Sequence, residues 1–147
     1  MADIPFTTDA GTAIAQFTEA IGAAPTVASV PLSDCQPAAT FNDWGGLRLT
    51  TPSYNPDITG GTFWLLVESV STPNGIPIVI TGTGGVGTSL ATLLADEPGI
   101  RDTWAENNGR YLVDPQEGER WGVAVQIVDS AVHDFSSQSI YNPHNGC

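Results

Sequence analysis

Thr12-Ala13-Ile14-Ala15-Gln16-Phe17-Thr18-Glu19-Ala20-Ile21-Gly22 is the stretch on which the fold turns, because a second run of its kind follows later in the chain. The first run leads to the strand-like Asp43-Trp44-Gly45-Gly46-Leu47-Arg48-Leu49. The second, Ser89-Leu90-Ala91-Thr92-Leu93-Leu94-Ala95-Asp96-Glu97-Pro98-Gly99, leads to Arg120-Trp121-Gly122-Val123-Ala124-Val125-Gln126-Ile127. Phe17 stands 27 positions before Trp44, and Leu93 stands 28 before Trp121. Recurrence at near-constant spacing signals an architecture built from two copies of one unit. The expectation is an α+β domain of two tandem helix-plus-antiparallel-strands repeats, about 9–72 and 73–147, sharing one sheet with the helices on one face.

Working outward, Thr7, Thr8 and Asp9 offer N-cap oxygens to the first helix, whose apolar positions Ala13, Ile14, Phe17, Ala20 and Ile21 make one stripe before Gly22 ends it. Residues 23–39 read as a loop with a short strand at Thr26–Val30. Thr40–Thr51 alternates like a hairpin bent or bulged at Gly45-Gly46. Thr62–Val70 reads as a strand, Pro73-Asn74-Gly75 as a turn, and Ile76–Thr81 as a short apolar strand. A helix from about Thr88 to Asp96 comes next. Arg110–Val113 then pairs with Trp121–Val128, and Ala131–Phe135 forms a last strand.

Composition bounds the class. The 147 residues suit one domain that buries roughly two-thirds of its unfolded surface. A hydrophobic share of 41% describes a folded chain, and 16 glycines with 11 prolines describe a loop-rich one. Sixteen acids stand against four bases, all arginine, for a formal charge of −12. Such a charge repels phosphate backbones and anionic lipid, so neither nucleic acid nor membrane insertion is expected, and no apolar run reaches the roughly 18 residues of a span. The absence of lysine suits an extracytoplasmic protein from a GC-rich genome, ahead of a salt-loving source or a surface shaped for a basic partner.

Cys35 and Cys147 are the two cysteines. A disulfide between them would tie the last residue to the body and imply an oxidising compartment. Closing a loop of about 110 residues contributes roughly 4–5 kcal/mol in the chain-entropy view. Two free thiols or an intermolecular bridge are the alternatives. Met1-Ala2-Asp3-Ile4-Pro5 has neither the basic lead nor the apolar core of a signal peptide. The chain is thus cytoplasmic, or a mature extracytoplasmic domain given a start methionine; its cysteines and lack of lysine favour the second.

Gly82-Thr83-Gly84-Gly85-Val86-Gly87 fits G-x-G-x-x-G between an apolar strand and a helix, the setting of a dinucleotide fingerprint. The surrounding pattern opposes that reading. A nucleotide fold needs several parallel strands with crossover helices, and only one other helix-like segment exists. A glycine turn feeding an N-cap at Thr88 explains the motif as well. His133 and His144 share no zinc spacing with the cysteines, and no nucleophile elbow is present, so no metal, cofactor or catalytic residue is assigned. Trp44 and Trp121 hold equivalent places in the two units and read as packing residues. Trp64, with the nearby loop residues Tyr54 and Asp57, and then Trp104 are the candidate binding residues, because tryptophan anchors interfaces.

The helix ending Ile21-Gly22-Ala23-Ala24-Pro25, Cys35, Asp43-Trp44-Gly45-Gly46-Leu47, Phe63-Trp64, Gly84-Gly85-Val86-Gly87-Thr88-Ser89 and Cys147 together resemble uncharacterised envelope domains. These are small secreted or lipoprotein-type proteins of bacteria with GC-rich genomes. Their layout is similar to the tandem-repeat β-lactamase-inhibitor-protein-like fold, a curved antiparallel sheet with helices on one face. This chain departs from them in showing no lipid-attachment cysteine. The resemblance implies an extracytoplasmic binding or structural role and supplies no catalytic residue. The expected function is non-enzymatic recognition of a secreted or envelope protein. A small enzyme, nucleotide-dependent through Gly82–Gly87 or hydrolytic, is one alternative, and a self-assembling surface component is the other.

Overall fold

Helix α1 (Ala10–Ile21) starts where the Asp9 carboxylate accepts a hydrogen bond from the Thr12 backbone N–H at 2.9 Å, with Asp9 itself in extended backbone. It stops where Gly22 turns left-handed, at φ +73°, and returns its N–H to the Thr18 carbonyl. The structure is a computed structural model that describes residue 4 and residues 8–32, 38–52, 63–79, 84–96, 101–102, 110–113 and 123–137.

After α1 come β1 (Thr26–Val30), β2 (Ala39–Asp43), β3 (Leu47–Pro52) and β4 (Trp64–Val67). Helix α2 (Leu90–Asp96) follows, then β5 (Arg101–Asp102), β6 (Arg110–Val113), β7 (Val123–Val128) and β8 (Ala131–Ser137). The fold is α+β: the described residues form two helices and one antiparallel sheet in the order β1-β2-β3-β4-β8-β7-β6-β5. Two meanders therefore meet at β4 and β8, which pair through Leu66–Ser136 and Val67–Phe135.

Period-two alternation decides which side chains face the core. Leu47 and Leu49 of β3 stand opposite Val67 and Leu65 of β4; Val67 stands opposite Phe135, and Phe135 opposite Val125 of β7. Leu47, Leu49, Val67, Phe135 and Val125, with Phe63 and Val132, join Ala13 and Ile21 of α1 and Leu93 of α2 in one buried cluster, against which Leu65 packs half-buried. Leu49, Phe63, Leu93, Val125, Val132 and Phe135 are the largest fully buried side chains, each contributing roughly 1.5–3 kcal/mol by leaving water.

The β2–β3 connection locks helix to sheet. Trp44 is buried, its ring tilted against Phe17 at 5.8 Å, and its indole N–H donates to the Ala23 carbonyl just beyond α1. Gly45 and Gly46 both adopt positive φ, at +77° and +101°. A Cβ on Gly46 would lie 2.3 Å from Ser69 Cβ, and one on Gly45 would lie 2.5 Å from Pro73. From the turn that follows β4, the Asn74 amide donates to the Ile21 carbonyl, so the same corner also satisfies the last turn of α1.

Two expected elements differ from the observed ones. Within its described residues, 63–70, the strand read over Thr62–Val70 spans Trp64–Val67. The strand read over Ile76–Thr81 does not join the sheet within its described residues, 76–79. Instead Thr72 and Ile78 donate their N–H groups to Ile76 and Val70, and Ser71 bridges Pro77, so the segment pairs with its own predecessor around the turn at 73–75. Pro77 lacks the N–H of a full ladder.

Gly46→Ala is expected to lower stability by about 2 kcal/mol or more in chemical denaturation, since strained backbone and a contact with Ser69 coincide there. Gly22→Ala, with open space around its Cβ, should cost about half as much. Asp9 supplies a pH test. Hydrogen bonds from the Thr12 hydroxyl and then from the Thr12 backbone N–H hold its carboxyl below the ordinary 3.8. A pKa lowered by folding contributes stability above the unfolded value and loses it as pH falls through the folded one. The stability gap between the native protein and Asp9→Ala, measured by thermal melts, should therefore be full above pH 3.8 and close below it.

Candidate functional site

The face of the sheet opposite the core is polar and aromatic. Register places Phe41 and Asp43 of β2, Arg48 and Thr50 of β3, Trp64 and Leu66 of β4, and Ser136 of β8 on it. Phe41, Thr50 and Trp64 form one row across three strands; Asp43, Arg48, Leu66 and Ser136 form the next.

Arg48 is the best-anchored charge there. Its Nε and Nη2 each lie 3.1 Å from Asp43 Oδ2, and Nη2 also lies 3.9 Å from Glu68. Its guanidinium carbon sits 5.7 Å from the centre of the Phe41 ring, within range of a cation–π contact. The other oxygen of Asp43 accepts the Gly45 N–H at 2.7 Å, so one carboxylate holds both the turn and the arginine. The Arg48 side chain stays 36% exposed, leaving part of its donor fork available to a ligand. Exposed ion pairs of this kind add little stability, so positioning is their larger effect.

Trp64 opens β4 half-buried. Its Nε1 is out of contact with solvent and has no hydrogen-bond acceptor among the described residues. A buried donor left unpaired costs roughly 1–3 kcal/mol, and each such group in a native fold calls for an explanation. Thr50, its register neighbour, is buried. The other candidate binding residues, Tyr54, Asp57 and Trp104, lie outside the described residues, as do Cys35 and Cys147 and the packing residue Trp121. The site therefore gathers Trp64 with three residues that sequence reading passed over: Phe41, Asp43 and Arg48. The available signal was alternation across the Gly45-Gly46 bend, which puts 41, 43, 48 and 50 on one face.

The described part of the glycine loop, from Gly84 on, is committed to internal bonds. Gly85 N–H donates to Thr88 Oγ1 at 3.0 Å, Gly87 N–H to the Val132 carbonyl at 2.8 Å, Thr88 N–H to the Gly85 carbonyl at 3.0 Å, and Leu90 N–H to the Ser130 carbonyl at 2.9 Å. The cap of α2 is Ser89 and not Thr88: Ser89 Oγ accepts from Thr92 N–H at 3.1 Å, while the Thr88 hydroxyl closes the glycine turn. These are the donors a phosphate cradle would need free. His133, on β8, is exposed and lies 3.0 Å from Asp134 through Nδ1. Among the described residues no group of three or more His, Cys, Asp or Glu side chains is arranged to hold a metal. No described helix is long and apolar enough to cross a membrane.

Comparison with known protein families, with curated sequences and with solved structures finds no match.

Millimolar ATP or NAD is expected to leave the melting temperature unchanged. A specific ligand at a hundred times its dissociation constant would add about 2.7 kcal/mol, readily seen in a melt. A shift abolished by Gly84→Ala would overturn this expectation.

Proposed function

We propose that this chain is a non-enzymatic recognition domain of the secreted or cell-envelope compartment. It binds a protein partner through the sheet face that carries Trp64, Phe41 and Arg48. The observation that carries the reading is the unpaired indole N–H of Trp64. A ring turned toward a partner carbonyl would recover the cost of that orphaned donor, and tryptophan and arginine are the residue types that dominate interface energetics. Arg48, held by Asp43 over Phe41, offers a positioned donor fork on the same face. The compartment rests on the composition and the two cysteines.

The strand order supports a reading as two tandem units, about 9–72 and 73–147, each a helix followed by four strands. On that reading the layout is similar to the β-lactamase-inhibitor-protein-like fold, and the specific form of the proposal is an inhibitor of a secreted hydrolase. Fold likeness alone does not carry activity, so the sheet face remains the basis.

The test is capture on the immobilised, oxidised protein from the secreted and envelope proteins of its host. One saturable partner is expected. Trp64→Ala should weaken it at least tenfold, about 1.4 kcal/mol, and Arg48→Ala by a smaller factor, with melts showing both variants folded. Retention of nothing at low and moderate salt, or full retention by Trp64→Ala, would sink the reading.

A further inference from the structure

Among the described residues strand β1 ends the sheet, and no described strand pairs with its outer edge. Thr26, Val27, Ala28 and Ser29 are all exposed, Val27 at 61%, and Leu32 just beyond is 70% exposed. Natural sheets protect such edges with lysines, inward-pointing charges, bulges or extreme shortness. The opposite edge, β5, carries charge at both of its described residues, Arg101 and Asp102. β1 does not. It pairs with β2 through five successive residues, and no bulge interrupts them. From Gly22 to Ser33 the chain carries no charged residue at all.

We propose that β1 is a self-association edge, on which a second copy of this chain adds its own β1 antiparallel across a two-fold axis at Ala28. The sequence around that point is nearly palindromic in chemistry: Pro25-Thr26-Val27-Ala28-Ser29-Val30-Pro31. A two-fold there sets Thr26 against the second copy's Val30, Val27 against its Ser29, and the small Ala28 against itself. β-Branched residues then oppose one another next to a close approach, the arrangement that favours cross-strand packing. The prolines fall opposite each other at both ends. Lacking N–H groups, they stop the ladder at five residues, so the contact closes as a dimer instead of running on.

Charge decides between a second copy and a foreign strand. A basic peptide would find no acidic side chain on β1 to attract it, whereas a second copy meets the neutral seam with a neutral seam. The two bodies, at formally −12 each, repel at longer range. Salt should therefore strengthen the dimer, the reverse of its effect on a basic ligand. A five-residue edge falls short of the roughly 1,200–2,000 Å² of a standard stable interface, so the affinity belongs in the micromolar range or weaker. The proposal is independent of the Trp64 face and stands or falls without it.

Sedimentation of the full chain tests it, between roughly 10 µM and 1 mM and at roughly 0.05 M and 0.5 M salt, where the screening length changes about threefold. The mass should climb from 15.4 kDa toward twice that value, and should do so at lower concentration in high salt. Ala28→Glu and Ala28→Lys each place like charges on the axis and should remain monomeric, while an equimolar mixture of the two should associate again. Melts of each variant check folding, and hydrogen exchange of the native protein supplies a readout free of mutation: amides of residues 26–30 should gain protection in the concentrated sample. A native protein that stays monomeric throughout would overturn the proposal. So would variants that dimerise like the native chain, a mixture that fails to recover, or β1 protection conferred only by an added basic peptide.

Discussion

The pairing of Val67 with Phe135 is the contact on which the rest of the molecule depends. It lies where β4 meets β8, and among the described residues it is one of two registered pairs joining the two meanders. Val67 and Phe135 are both buried, and Val125 extends the same row into β7. An α-helix and a four-stranded meander can cover only part of each other's apolar surface. Closing this seam lets Ala13 and Ile21 from α1 and Leu93 from α2 share one core. The single eight-stranded order, with two meanders in one sheet, follows from that closure.

The second face differs in chemistry because the core consumes the apolar half of the alternation. β3 shows this within four residues: Leu47 and Leu49 go inward, while Arg48 and Thr50 go to the other side. The inward side is satisfied by packing. The outer side has to satisfy its polar atoms individually, and it does so for Arg48 through Asp43 while leaving the Trp64 donor unmet. The inner face supplies most of the buried apolar cluster, and the outer face holds the Arg48–Asp43 pair beside the buried Thr50.

Much of this architecture was legible. Asp9 and Gly22 bound α1 because a carboxylate cap and a left-handed glycine are local devices, readable without knowing the fold. The Gly45-Gly46 bend was likewise visible, since few other residues tolerate φ of +77° and +101°. The β7–β8 turn lies in the gap between the expected strands Trp121–Val128 and Ala131–Phe135, and it uses Asp129 and Ser130 at positive φ where glycine or asparagine is usual. Ile76–Thr81 misled because its apolar run obeys strand composition, while Pro77 and the 73–75 turn pair it locally. Of the site, Trp64 stood out by residue type. Its companions did not, because Phe41 and Arg48 meet it only through the registers of β2–β3 and β3–β4, which are tertiary facts.

The seam also has a consequence in time. Val67 and Phe135 are 68 positions apart in the chain, and contacts of such separation form late because a long loop must close before they gain anything. During synthesis, at roughly 5–20 residues per second, β4 leaves the ribosome on the order of 3–14 s before its partner strand exists. For that interval the nascent chain presents Leu65, Val67 and the unpaired rim of β4 to the cell. Only the arrival of β8, which pairs with β4 through Val67 and Phe135, ends that exposure.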